Sequence, residues 1–226
     1  MLKPLEHYLP ADIERSSMAI IRSELKERGI RLPEENAAVI CRAIHTTADF
    51  DYARNLTFTE NAVQRGVDAC TRGRVIVTDS NMALSGISKG TLEKLEMKAV
   101  CLTGEREAEL LAREKEVTRA AAGMMLATER FPEAFFVTGN APTALLTIVE
   151  RMEEGLRPAL LVGVPVGFVN VVESKEEALR VSREKAVPSI LAMGRKGGSN
   201  VAAAIMNAIL YTASHTLDPS ERGWMG

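Results

Sequence analysis

Aromatic residues are scarce in this chain, since Phe, Trp and Tyr together make up 4% of its 226 residues. That is too few for a surface that stacks nucleic-acid bases. The charges are nearly balanced, with 28 Lys and Arg against 30 Asp and Glu and a net charge of −2. A protein that binds nucleic acid usually carries a clear basic excess. Both observations argue against nucleic acid as a partner.

Long apolar runs and cysteines are also few. No segment approaches the ~20 apolar residues that cross a membrane, so we expect no membrane association. The first ten residues, MLKPLEHYLP, contain Glu6 and lack the apolar core of a signal peptide. The odd number of cysteines (Cys41, Cys70 and Cys101), without a CxxC pair, is typical of reduced thiols. We therefore expect a cytoplasmic protein whose thiols are half-buried and unpaired.

Metal-ligating residues and nucleophile motifs are sparse as well. The chain has three histidines, and His7 and His215 have no supporting pattern. Cys41 and His45 have the i, i+4 spacing of two ligands on a helix, but the sequence has no second Cys/His pair. The GxSxG elbow of α/β-hydrolases is missing too. We expect no metal site and no serine-hydrolase triad.

What the sequence does contain is an alternation of short apolar runs with helical patterns. Buried strands are predicted at Arg74–Thr78, Ala99–Leu102, Ala134–Val137, Ala159–Val164 and Ser189–Met193. Helices are predicted over residues 12–26, 33–48, 60–70, 105–128, 143–154, 176–184 and 200–213. This alternation indicates βαβ units. We predict a single α/β domain over residues 1–226, with a mostly parallel sheet, helices on both faces and an α-helical N-terminal segment.

Polar segments, three of which contain glycine, follow four of the five predicted strands. They are Asp79–Met82, Gly139–Pro142, Pro165–Phe168 and Gly194–Asn200. Ligands of open parallel sheets bind outside the carboxyl ends of the strands. Each segment alone is also ordinary turn chemistry. Together they favour a ligand site at this edge, and Asn140 is a candidate binding residue there.

The Gly194–Ser199 segment has the composition of an anion site. Arg195 and Lys196 lie between its glycines, and a helix is predicted to begin directly after it. It matches neither GxxxxGK[ST] nor GxGxxG, so carboxylates suit it as well as phosphate. A solvated basic loop is the alternative.

His45 has charged neighbours at helical spacing. Arg42 precedes it by three residues and Asp49 follows it by four, so all three are expected on one helix face. A guanidinium lowers the pKa of an imidazole, whereas a carboxylate raises it and fixes the tautomer. The pattern favours a tunable acid or base, with a purely structural histidine as the alternative.

Ser17 and Arg119 are further candidates. Ser17 occupies a helical position among Ile13, Ile20 and Ile21, which predicts an inward-facing hydroxyl. It either donates to the carbonyl one turn back or binds a ligand. Arg119 is surrounded by small residues, which suggests a guanidinium that reaches across packed helices, with a helix-surface arginine as the alternative.

These segments together resemble one known family, the precorrin-8X methylmutases, also called cobalt-precorrin-8 methylmutases. The matching segments, in chain order, are residues 13–21, 42–45, 79–82, 86–87, 118–122, 139–145, 163–176 and 194–199. GNAPTAL and GRKGGS are specific when they occur together in this order. The resemblance covers nearly the whole chain.

The resemblance implies an isomerase that moves a methyl group from C11 to C12 of the corrin-forming macrocycle in vitamin B12 biosynthesis. It implies an α/β fold, a homodimer, a corrinoid substrate and product, and no cofactor, since any cobalt belongs to the substrate. His45 matches the family's catalytic histidine, and Ser17, Arg42 and Arg119 match substrate contacts. Arg195 and Lys196 can supply further cations for the carboxylates of the substrate.

Two other functions remain open from the residues. One is a non-catalytic tetrapyrrole carrier with the same pocket. The other is a phosphate- or nucleotide-dependent α/β enzyme that uses the Gly194–Ser199 loop.

Overall fold

A six-stranded sheet forms the centre of the computed structural model, which describes residues 9–222. The strands are β1 (Leu56–Phe58), β2 (Ile76–Thr78), β3 (Ala99–Val100), β4 (Phe135–Thr138), β5 (Leu160–Gly163) and β6 (Ser189–Ala192). Their order in the sheet is β1-β6-β5-β4-β2-β3. All neighbouring pairs are parallel except β1 and β6, which are antiparallel.

Eleven α-helices and a final 3-10 turn, Pro219–Arg222, accompany the sheet within residues 9–222. The first six helices are α1 (Pro10–Glu27), α2 (Glu34–Thr47), α3 (Tyr52–Asn55), α4 (Ala62–Cys70), α5 (Asn81–Gly86) and α6 (Lys89–Lys94). The remaining helices are α7 (Arg106–Glu114), α8 (Arg119–Arg130), α9 (Pro142–Glu153), α10 (Val171–Glu184) and α11 (Ser199–Ala213). No helix in this part of the chain has the length and apolar character needed to span a bilayer.

Helices cover both faces of the sheet. Helices α1 to α6 and α11 pack on one face, and α7 to α10 pack on the other. Within β4, Phe135 and Val137 point into the first layer and Phe136 into the second. Because apolar helix layers cover both faces of the sheet, each central strand is apolar at successive positions rather than at alternate ones. The predicted α/β class with a mostly parallel sheet is confirmed.

The predicted helix over 105–128 is wrong as a single element. It is two helices, α7 and α8, separated by a break in which Glu116 adopts a left-handed φ of 54°. The Thr118 hydroxyl accepts the Ala121 N–H and so caps the start of α8. The strand predicted over 99–102 has two residues. Strand β1 and helices α3, α5 and α6 are additions that the patterns did not predict.

The three cysteines are free thiols. Cys101 is half-buried as expected, but Cys41 and Cys70 are fully buried. Burial raises the pKa of Cys70 to about 12, which keeps it protonated. His7 lies outside the described residues.

Candidate active site

The carboxyl ends of the parallel strands meet at one edge, where the segments after β2, β4, β5 and β6 come together. Strand β2 lies between β3 and β4, so the strand order reverses there. The segment after β2 leads to α5 on one face, and the segment after β4 leads to α9 on the other. Such a switch point is the usual ligand site of an open α/β sheet.

Asp79 joins the two segments at this point. Its buried carboxylate accepts the N–H groups of Gly139 at 3.0 Å, Asn140 at 2.8 Å and Ala141 at 2.7 Å. Burial raises the pKa of Asp79 above its ordinary value, and the three N–H donors oppose this effect. The three backbone N–H groups that lead into α9 are therefore used as hydrogen-bond donors to Asp79. The sequence placed Asp79 at a strand end without indicating this contact.

The Gly194–Ser199 loop is held by a buried lysine that the sequence analysis did not single out. The Lys175 ammonium on α10 donates to the carbonyls of Gly194 and Lys196, each at 2.8 Å. Burial lowers the pKa of Lys175 to about 8. Gly197 packs so closely that a Cβ there would lie 2.1 Å from the Val164 carbonyl oxygen. The loop is therefore held from both sides, by Lys175 at its carbonyls and by the close packing of Gly197.

The two cations of this loop have different environments. The Lys196 ammonium pairs with Asp49 at 2.6 Å and Asp51 at 2.5 Å. Arg195 is exposed, and its guanidinium lies 5.4 Å from the centre of the Phe168 ring. Of the two cations in the expected anion site, Arg195 remains available to a ligand, whereas the charge of Lys196 is neutralised by two acids of the protein.

His45 is half-buried on α2, one turn from Arg42. The pKa of His45 is lowered by burial first and by the positive charge of Arg42 second, while Glu14 opposes the shift. The expectation that Asp49 shares a helix face with His45 is wrong. Helix α2 ends at Thr47, Ala48 is left-handed, and the Asp49 carboxylate binds Lys196 instead. The carboxylate that acts on His45 comes from α1.

That carboxylate belongs to a cluster of four side chains from four elements, which we call the Glu14 cluster: Glu14, Arg42, Tyr211 and Arg222. Glu14 accepts hydrogen bonds from Arg42 at 2.7 Å and from Arg222 at 2.8 Å and 2.9 Å. The Tyr211 ring on α11 lies 5.2 Å from the Arg42 guanidinium and 3.7 Å from that of Arg222. Arg42 was predicted, and the other three were missed.

Ser17 lies next to this cluster on α1. Its hydroxyl donates to the Ile13 carbonyl at 2.8 Å, the bond one turn back. Ile13 and Ile20 are 47% and 59% exposed, whereas Ile21 is buried and Ser17 is half-buried, so Ser17 lies at the border between the exposed and the buried face of α1. Of the two expected roles, the structure shows the bond to the carbonyl one turn back.

Arg119 and Asn140 lie at the starts of two neighbouring helices. Arg119 is the first residue of α8 and is exposed, so it does not reach across packed helices as expected. The hydroxyls of Thr118 and Thr143 are 2.8 Å apart and join the starts of α8 and α9. Asn140 is exposed directly before α9. Within residues 9–222 the Arg119 side chain has no ion pair, so its guanidinium is open to a ligand.

Large apolar side chains are exposed at the same edge. Phe168 and Val169 after β5 are 81% and 76% exposed, and Met82 after β2 is 72% exposed. Neighbouring exposed apolar groups, such as Phe168 and Val169, often mark a ligand or partner site. The edge therefore combines apolar surface with exposed guanidinium groups. Such a surface suits a wide apolar molecule with anionic substituents.

Fold and edge together define an α/β protein with a ligand site at the switch point of a parallel sheet. The family model of the precorrin-8X methylmutases matches residues 12–212. The chain belongs to this family. It is accordingly an isomerase, a methylmutase of cobalamin biosynthesis that transfers a methyl group within one molecule.

Individual members of the family match this chain over most of their length. The cobalt-precorrin-8 methylmutase of Salmonella typhimurium is 41% identical over 211 residues, covering 91% of this chain and 97% of that protein. The precorrin-8X methylmutase of Pseudomonas aeruginosa is 37% identical over 198 residues, covering 87% and 93%. The solved structure of the Thermus thermophilus precorrin-8X methylmutase is 36% identical, with a TM-score of 0.79 and coverage of 90% and 98%.

We predict that Lys175→Met destabilises the protein, because the backbone carbonyls of Gly194 and Lys196 lose a charge-assisted donor that contributes ~1.5–3 kcal/mol. The folded protein holds the Lys175 proton less tightly than the unfolded chain, whose ordinary pKa is 10.5. Between pH ~8 and 10.5 the unfolded chain therefore binds more protons, and rising pH stabilises the folded wild type. Across this pH range, the urea midpoint of the wild type should therefore rise relative to that of Lys175→Met.

Lys89→Met, at an exposed lysine, is the matched control and should follow the wild type across the same range. A constant difference between wild type and Lys175→Met from pH 7 to 10 would contradict the prediction.

Proposed function

We propose that the protein moves the methyl group of precorrin-8, with or without cobalt, from C11 to C12 and that His45 is the acid/base for this step. The observation that carries the proposal is the site of His45. The imidazole is half-buried beside Arg42, its pKa is lowered, and it belongs to a chain of this family. A neutral imidazole near neutral pH can both take up and release a proton at a ring position.

A methyl shift within one molecule needs neither a nucleophile nor a second substrate. The enzyme has to place one proton, bind the rearranging tautomer better than the others and hold the ring in the required shape. His45 would place the proton. The exposed apolar groups at the carboxyl edge would contact the ring, and they include Phe168 and Val169.

Arg42, Arg119 and Arg195 are the groups that we propose bind the acetate and propionate carboxylates of the substrate. A planar guanidinium donates two parallel N–H bonds to a carboxylate. Arg119 and Arg195 are exposed, and Arg42 uses only part of its donors on Glu14. The exposed Asn140 amide adds a neutral donor, and the Ser17 hydroxyl, whose proton is already donated to Ile13, can accept.

We further propose that the reaction needs no cofactor, that any cobalt arrives within the substrate, and that the protein is cytoplasmic. The mechanism supports the first point, because no electron transfer or group carrier is involved. The three unpaired thiols support the last. The close packing of the Gly194–Ser199 loop weighs against its use as a nucleotide site. A carrier without chemistry would bind the macrocycle and leave its absorption spectrum unchanged.

A homodimer is also part of the proposal. The Ala120–Leu126 segment, although rich in Ala and Met, does not support it, because that segment is buried in its own chain except for Met125. A different face supports the dimer. Leu9, directly before α1, and Ile13 and Ile20 on α1 form an exposed apolar stripe that Ser17 borders. A second copy covering this stripe would bring Ser17 into a buried site.

Sedimentation at micromolar concentration should give a species of twice 24.6 kDa. Ile20→Glu should weaken the dimer, because it places a charge in the stripe. Leu110→Glu, at an equally exposed apolar residue on α7, should leave it intact. A monomer alone in the wild type would overturn the dimer.

We predict that His45→Ala folds and binds the macrocycle but loses ~10²–10⁴-fold in turnover, the usual contribution of a positioned acid or base. His45→Asn should behave similarly, because it keeps polarity but cannot titrate. The measurement is the rate of the spectral change, with unchanged mass, for metal-free and cobalt-containing precorrin-8. A rate within a few-fold of wild type would mean that the proton comes from another group.

Arg119→Ala is the complementary variant, and we expect its defect to lie in the binding of substrate and product. It should weaken substrate and product binding about tenfold or more, since a charge-assisted bond contributes ~1.5–3 kcal/mol. Arg119→Lys should restore only part of this, because the planar fork is lost. An aggregated Arg119→Ala protein would instead indicate a structural role.

A further inference from the structure

Glu14 is the only acid that pairs with either arginine beside His45, as judged over the described chain. The side chains are well shielded, with exposed fractions of 12% for Arg42, 20% for Glu14 and 5% for Arg222. Burial by itself would raise the pKa of Glu14, but the hydrogen bonds and charges of Arg42 and Arg222 outweigh it and lower that pKa. Glu14 is therefore an ionised carboxylate between two guanidinium groups.

The two arginines depend on Glu14 to different degrees. Arg222 also donates to the carbonyls of Thr216 at 2.8 Å and Leu217 at 2.6 Å, and its guanidinium stacks on Tyr211. Its position is therefore set by the final segment of the chain as well. Arg42 has a single hydrogen bond within residues 9–222, the one to Glu14. Without that carboxylate, only the contact with Tyr211 would orient Arg42.

We propose that Glu14 is a positioning residue of the active site, whose carboxylate holds the Arg42 guanidinium beside His45 and balances the charge of Arg222. The inference rests on the proposed role of His45 as acid/base and adds to it a residue that does not touch the substrate. Through Arg222, the 3-10 turn Pro219–Arg222 also becomes part of the surroundings of the imidazole.

Three charged groups act on His45, and they come from three elements. Arg42 on α2 and Arg222 on the final turn disfavour the imidazolium, whereas Glu14 on α1 favours it. Tyr211 on α11 contributes its ring to both guanidinium groups. Loss of the Glu14 charge leaves two cations unbalanced, so the proton on His45 becomes easier to lose. Loss of Arg222 has the opposite effect.

The test is an NMR titration of His45 in the substrate-free full-length protein, with its signal assigned by its disappearance in His45→Asn. Glu14→Gln keeps the shape of the side chain and removes the charge, and should lower the pKa of His45 by ~0.5–1 pH unit. Arg222→Met should raise that pKa by a similar amount. Glu24→Gln is the control, because Glu24 is on the same helix but pairs with Arg28.

An unchanged His45 titration in Glu14→Gln, or an equal shift in Glu24→Gln, would overturn the proposal. If Glu14→Gln does not fold, the titration of Arg222→Met tests the proposal by itself. A pKa of His45 that does not rise in that variant would overturn the proposal. In kinetics, Glu14→Gln should move the acidic limb of the kcat/KM profile to lower pH and raise KM, because Arg42 is less well oriented. A failed methylmutase assay with the expected titrations would reject the proposed function and leave the charge balance standing.

Discussion

The carboxylate of Asp79 connects the two halves of the sheet at the point where their strand order reverses. Three backbone N–H groups converge on it, and each charge-assisted bond contributes ~1.5–3 kcal/mol. The bonds fix Gly139, and Gly139 in turn fixes α11, since a Cβ there would lie 2.7 Å from the Cα of Ser199. Helix α11 packs on α2, which contains His45. The position of the imidazole thus depends on a carboxylate on the opposite side of α11.

The proposed substrate carries several carboxylates, and the distribution of charge in this nearly neutral protein is compatible with its binding. Nine of the 19 arginines pair with acids of the chain itself, such as Arg180, which pairs with Glu153, Glu177 and Glu184. The charge of Lys196 is neutralised in the same way by Asp49 and Asp51. Arg119 and Arg195, which have no ion pair within residues 9–222, lie at the carboxyl edge of the sheet. Binding energy for carboxylates is therefore local, with no need for a net positive protein.

The sheet and most helices could be predicted because a strand buried on both faces is a continuous apolar run. Strand β1 could not, since three residues carry no periodicity. The break before α8 was missed because the left-handed residue that ends α7 is Glu116 and not the glycine or asparagine that usually marks such a helix end; the Val117 N–H closes the motif on the Ala112 carbonyl at 3.0 Å. Spacing on one helix identified His45 and Arg42. Arg222, separated from Glu14 by 208 residues, and Lys175, within a charged run, became visible only in three dimensions.

The antiparallel strand β1 joins distant parts of the chain. Its residues 56–58 pair with residues 190–192 of β6, and helix α2 beside it packs on α11. During synthesis, the segment around His45 leaves the ribosome long before these partners exist. The face of α2 that packs on α11 must wait for the last third of the polypeptide, whereas the contacts of α2 with α1, α3 and α4 are made by earlier segments. The surroundings of His45 are therefore completed late, and a nascent chain that stops before α11 would lack both the Tyr211 ring and Arg222.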